Sequence, residues 1–170
     1  GRVEAGVYAL AADSLPPLKG SGRKRDSLPA AADGGPLLVL VHGTFVDTAS
    51  TFGKLWAQHP EVVGRLFGHY GGRVYALDHP TMAASPIANA LTLVRALPPG
   101  AKLHLLTHSR GGLVAEVLAR SCGGTLSADD LAPFAGKAYA QQRQELKELV
   151  AEAQAKRIQV ERMLRVACPA

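Results

Sequence analysis

Short apolar runs alternate with amphipathic stretches along most of this chain. Leu37-Leu38-Val39-Leu40-Val41 shows no polar alternation, so both of its faces must be buried, as in the middle of a parallel sheet. Thr48 to Gln58 follows, with Phe52, Leu55 and Trp56 at helical spacing. A second helix is predicted over Glu61 to Tyr70, opened by Pro60 and closed by Gly71-Gly72. Arg73 to Leu77 is the next strand, with Asp78-His79-Pro80-Thr81 as the turn after it. Ser85-Pro86 caps and opens a helix to about Leu97, which Pro98-Pro99-Gly100 ends. Lys102 to Thr107 reads as a strand and Arg110 to Arg120 as the helix behind it. Strand and helix in alternation, with buried strands, predict an α/β fold: a three-layer sandwich around a mostly parallel central sheet. Ligands in such sheets bind at the carboxyl ends of the strands. His42-Gly43-Thr44, Asp78-His79 and Ser109 should therefore share one rim.

The flanks are less regular. Arg2 to Leu10 alternates loosely and predicts a first strand. Residues 11–36 are rich in Pro, Gly, Ser and charge and read as a long flexible loop, with room for a short hairpin. Residues 125–158 read as a helical insertion or one long helix. Within it Ser127-Ala128-Asp129-Asp130 caps a short helix, and a longer one runs from Gly136 or Lys137 to Ile158 on an apolar stripe of Leu146, Leu149, Val150 and Ala153. Glu152 and Lys156 stand four apart, a pairing worth roughly 0.3 kcal/mol on a helix surface. Val160 to Cys168 fits either a last strand or a continuation of that helix.

Composition narrows the classes. At 170 residues and 47% hydrophobic, the whole chain is expected to form a single domain with a core of its own. No apolar run reaches the roughly 20 residues of a membrane span. The opening Gly1-Arg2-Val3-Glu4 is not a signal peptide and lacks an initiator Met, as in a processed or excised chain. The net charge of +5 gathers in Lys19 to Arg25 and in the last thirty or so residues, without interleaved aromatics. That pattern is a basic loop and a solvated helix face, not a nucleic-acid patch. Two cysteines far apart, Cys122 and Cys168, suggest reduced thiols and a cytoplasmic location. The six histidines are scattered without ligand spacing, so neither a metal nor another cofactor is expected.

The chemistry centres on Thr107-His108-Ser109-Arg110-Gly111-Gly112. A strand, a tight turn with serine at its apex and then a helix make a nucleophile elbow, G-x-S-x-G in its usual form. Gly111 fits the second glycine, whereas Thr107 stands where the first is usual. Serine needs a base to take its proton and donors to hold the oxyanion. The donors would be the backbone amides of Arg110 and of Thr44, with Gly43 letting the earlier loop approach closely. His42 either braces that loop or acts as a base. His108 flanks the serine and, pointing away from it, packs or hydrogen-bonds. Asp78 is a triad acid or a cap on the Pro80 turn, and His79 beside it is an acid/base candidate of the same standing.

His42-Gly43-Thr44 and His108-Ser109-Arg110-Gly111-Gly112 together resemble the oxyanion loop and the G-H-S-x-G-G elbow of the α/β-hydrolase superfamily, in its lipase and esterase branch. The likeness covers about Leu37 to Gly124 and implies a partial α/β-hydrolase fold. It also implies a carboxylic ester hydrolase acting through an acyl-enzyme on Ser109, with oxyanion amides from Thr44 and Arg110. The spacing with Asp78-His79-Pro80-Thr81 is also similar to bacterial hydrolase-like domains found beside caspase-like domains. In this fold the order is serine, acid, histidine. None of His42, His59, His69, His79, His104 and His108 follows Ser109. Three readings follow. The chain holds the nucleophile half of a hydrolase for acyl esters, with base and acid on sequence beyond Ala170. Alternatively, it uses an unusual base such as His79 or His42. Or it is an idle hydrolase-like domain that binds a protein partner.

Overall fold

A computed structural model describes residues 3–43, 46–80, 85–108, 111–123 and 140–166. Within them the elements are β1 (Gly6–Ala9), β2 (Lys24–Arg25), β3 (Leu37–Val41), α1 (Thr48–Gln58), α2 (Pro60–His69), β4 (Val74–Asp78), α3 (Pro86–Ala96), β5 (Lys102–His108), α4 (Gly111–Gly123), α5 (Ala140–Ala155) and β6 (Gln159–Val166).

The six strands form one sheet in the order β2-β1-β4-β3-β5-β6. β4, β3, β5 and β6 run parallel. β1 is antiparallel to both β4 and β2, so the sheet is mixed. The reason is in the connections. β1 and β2 are joined without a crossover helix, which permits their antiparallel pairing. The other strands are separated by helices, and β3 and β4 are buried on both faces, as the unbroken run in β3 requires.

Two apolar clusters lie on opposite sides of the sheet. Leu38, Leu40, Val74 and Ala76 face Phe52 and Trp56 of α1 and Val63 of α2. Leu37, Val39, Val41, Leu103 and Leu105 face α3, α4 and α5. Alternate residues of one strand thus enter different cores.

Local sequence sets the helix ends. Asp47 accepts from the Ser50 amide at 2.8 Å, while the Ser50 hydroxyl accepts from the Asp47 amide, a reciprocal cap on α1. Pro60 opens α2, and the turn after it runs through Gly71 and Gly72 at φ 59° and 80°, a region glycine enters without penalty. The Ser85 hydroxyl accepts from the Ala88 amide ahead of α3.

The structure bears on three of the expectations. Lys156 does not pair with Glu152. Its ammonium donates to the carbonyls of Val94 and Leu97, both at 2.8 Å, and of Arg95 at 3.1 Å, capping the end of α3. Glu152 pairs with Arg95 instead. Val160 to Val166 is a strand, the choice the sequence left open. Residues 11–36 include β2 and are pinned at several points: Leu18 and Leu28 are buried, and the carbonyl of Ala11 accepts from the Trp56 indole at 2.8 Å. The short helix expected after Ser127, and Cys168, lie outside the described residues. Cys122 is half-buried, and burial pushes its thiol up to about 11.

Candidate functional site

The parallel register aligns the strand ends. Leu77, Val41, Thr107 and Arg165 form one row across β4, β3, β5 and β6. The next residue on each strand is Asp78, His42, His108 and Val166. The expected rim therefore exists at these four positions. β3 leads to α1 on one face and β5 leads to α4 on the other. Adjacent strands whose connections depart to opposite faces leave a crevice at their carboxyl ends. Gly43 stands on the β3 side of that crevice and His108 on the β5 side. Thr44, Ser109 and Arg110 lie outside the described residues, and Gly111 is described only as the first residue of α4.

Behind the crevice is a buried polar cluster. His42, Asp78, His79 and Thr48 are each at most 4% exposed. The His79 amide donates to His42 Nε2 at 3.0 Å, so that nitrogen carries no proton. The proton of His42 is then on Nδ1, which donates to the Gly43 carbonyl at 2.8 Å. His79 Nε2 donates to the His42 carbonyl at 3.0 Å. Its Nδ1 accepts from the Asn89 side chain at 3.2 Å, and the same amide donates to the Pro80 carbonyl at 3.4 Å. The two imidazoles stack with centroids 3.9 Å apart. Both are neutral and hold opposite tautomers. Burial, and next the adjacent His42, push His79 down to about 4.

Asp78 reaches back to the start of α1. Its Oδ1 accepts from the Thr48 amide at 2.9 Å and the Thr48 hydroxyl at 2.8 Å. Oδ2 has no partner among the described residues. Burial raises this carboxyl, against the lowering effect of the two Thr48 bonds. His42 Nε2 approaches Oδ1 at 3.6 Å, but the nitrogen already accepts the His79 amide and has no proton to share. That approach is not an ion pair.

The other histidines stand apart from this cluster. His108 keeps one buried ring nitrogen, Nδ1, without a partner among the described residues. His104 sits four residues earlier on β5, accepting from the Tyr70 hydroxyl at 2.7 Å, with Glu161 beside its other nitrogen at 3.6 Å. His59 and His69 are exposed around α2. Thr107, in place of the usual glycine, is buried and its hydroxyl reaches the Leu164 carbonyl of β6 at 3.5 Å. Thr48 and Asn89 were not singled out in the sequence. The only signal was Asp47 ahead of a helical pattern, which marks a cap but not the carboxylate 30 residues later that binds the next residue. Among the described residues, no group of three or more His, Cys, Asp or Glu could hold a metal ion, and no helix is long and apolar enough to cross a membrane.

These features define an α/β protein with a topological switch point between β3 and β5 and a dihistidine cluster beside it. Residues 13–133 match the family described as a domain of unknown function (DUF7379), and the chain belongs to that family. No curated protein and no solved structure matches the chain.

Proposed function

We propose that this chain is the nucleophile half of a serine hydrolase for carboxylic esters, with a partial α/β-hydrolase fold in three layers. The observation that carries this reading is the register of Val41 with Thr107. It brings the end of β3, with His42-Gly43, beside the end of β5, which runs directly into Ser109. In the reaction, Ser109 Oγ attacks the ester carbonyl carbon and loses its proton to a base. The C–O bond to the alcohol breaks, the alcohol leaves with a proton, and water then releases the acid from the acyl-serine. Amides of Thr44 and Arg110 would hold the oxyanion. This reading does not take the base from His42 or His79, since the lone pair of each ring already accepts a hydrogen bond within the cluster. This reading takes it from a group that joins the crevice from outside the six histidines.

The same two bonds favour a second reading, an idle domain whose histidines serve only to brace the loops and whose surface binds a protein. A fluorophosphonate probe read by intact mass separates the two. The hydrolase reading expects slow labelling of Ser109, acceleration by imidazole as a substitute base, and none in Ser109→Ala. A folded chain that stays unlabelled at Ser109 with imidazole present is an idle one.

A further inference from the structure

The connection between β3 and α1 is short, and both of its ends are tied to the end of β4. At the β3 end, His79 donates two hydrogen bonds of 3.0 Å to His42, one from its amide to the ring and one from its ring to the carbonyl, and the His42 ring also holds the Gly43 carbonyl. At the α1 end, Asp78 Oδ1 takes both donors of Thr48. Asp78 and His79 are consecutive, so one dipeptide at the end of β4 grips both ends of the connection. Asn89 of α3 fixes the His79 ring from behind. The Asp78 Cα and the His79 amide belong to one planar peptide unit, so the two grips start from neighbouring points of the backbone.

We infer that Asp78 is a positioning residue: through Thr48 it sets where α1 begins, and with His79 it fixes the loop that presents Gly43 to the crevice. The inference rests on the hydrolase reading of Ser109 for its catalytic consequence, though not for its structural one. A carboxylate facing the first amide of a helix also satisfies a donor that has no partner within the helix. An asparagine at this position offers one carbonyl oxygen where the carboxylate offers Oδ1. Asp78→Asn keeps the Oδ1 acceptor and should therefore preserve the grip, while Asp78→Ala removes it.

Two readouts test this. The first is hydrogen exchange of the Thr48 and Gly43 amides in the folded chain. Asp78→Ala should accelerate exchange at Thr48 by about tenfold or more, with Asp78→Asn near wild type. The second is the rate at which a fluorophosphonate labels Ser109 in the presence of imidazole. It should fall about tenfold to a hundredfold in Asp78→Ala and return in Asp78→Asn, since misplacing a catalytic contact by an ångström costs that much. Thr48→Val, which loses only the hydroxyl bond, should fall between, and it serves where Asp78→Ala does not fold. Wild-type labelling rates in both Asp78→Ala and Thr48→Val would overturn the catalytic part, and unchanged Thr48 exchange would overturn the grip itself. A wild-type chain that never labels would instead sink the hydrolase reading, leaving exchange to decide the positioning role.

Discussion

The His79 amide donates to His42 Nε2 while His79 Nε2 donates to the His42 carbonyl, both at 3.0 Å, so each residue uses its ring and its backbone on the other. This fixes His42 as the Nδ1–H tautomer and His79 as the Nε2–H tautomer. Long-range proton–nitrogen NMR spectra should show one histidine of each kind, and the His79 ring should stay unprotonated between pH 8 and 6. A shared tautomer for the two rings would disprove the arrangement. Replacing the His79 ring by Ala strands the Asn89 amide and the His42 carbonyl and should cost about 2–4 kcal/mol in urea unfolding.

Stability should depend on pH through the same pair. His79 titrates at about 4 when folded and at 6.5 when free. Between those values the unfolded chain binds a proton that the folded chain does not, so stability falls as pH drops from about 6.5 to about 4. Asp78 acts in the opposite sense. Its carboxyl is raised on folding, so the folded chain binds more protons just above the free carboxyl's range, and acidification there is stabilising. His79→Gln should therefore flatten the loss on acidification, and Asp78→Asn should steepen it. Equal losses in wild type and His79→Gln, measured as unfolding midpoints at pH 7 and pH 4.5, would contradict this assignment.

Lys156 gives a third test. Its three bonds to the end of α3 make it a cap on a helix that begins 70 residues earlier in the chain. Lys156→Met should cost about 1–3 kcal/mol, because buried carbonyls lose a charged donor. Glu152→Gln, which weakens only an exposed pairing with Arg95, should cost less than about 0.5 kcal/mol. Similar costs for the two would remove the distinction.

The edge strand β6 invites a contrast with its neighbour. Leu103 of β5 is fully buried, and Leu103→Ala should cost about 2–5 kcal/mol. Leu164 of β6 is 59% exposed, on a strand with one open edge. Leu164→Lys should leave the unfolding midpoint within about 0.5 kcal/mol of wild type and reduce concentration-dependent association in light scattering, since charge on an edge opposes strand addition. A loss of several kcal/mol would mean that Leu164 is covered in solution.

Patterns of short range carried most of the fold. The unbroken run of β3 could only be a strand buried on both faces, and the helical spacing of Phe52 and Trp56 located α1. β6 was ambiguous because it is an edge strand: most of its residues are exposed, so its sequence lacks the burial signature that marked β3. Glu152 and Lys156 had the right spacing for each other, but the ends of α3 and α5 come together and offered Lys156 three carbonyls instead. The rim was legible as a set of strand ends. The bonding within it was not, because the His79 amide finds a ring 37 residues away and Asp78 finds Thr48 30 residues away. No periodicity encodes such contacts.

The family match covers residues 13–133. β1 lies before it, and α5 and β6 lie after it. Yet β1 pairs with β4 over four residues, β6 pairs along the whole of β5, and α5 lends Leu146, Leu149 and Ala153 to the larger core. A protein trimmed to the shared segment would present two raw backbone margins and one skinned face. The unit that folds is thus wider than the matched stretch, and an expression boundary drawn at its ends would cut through load carried by both flanks.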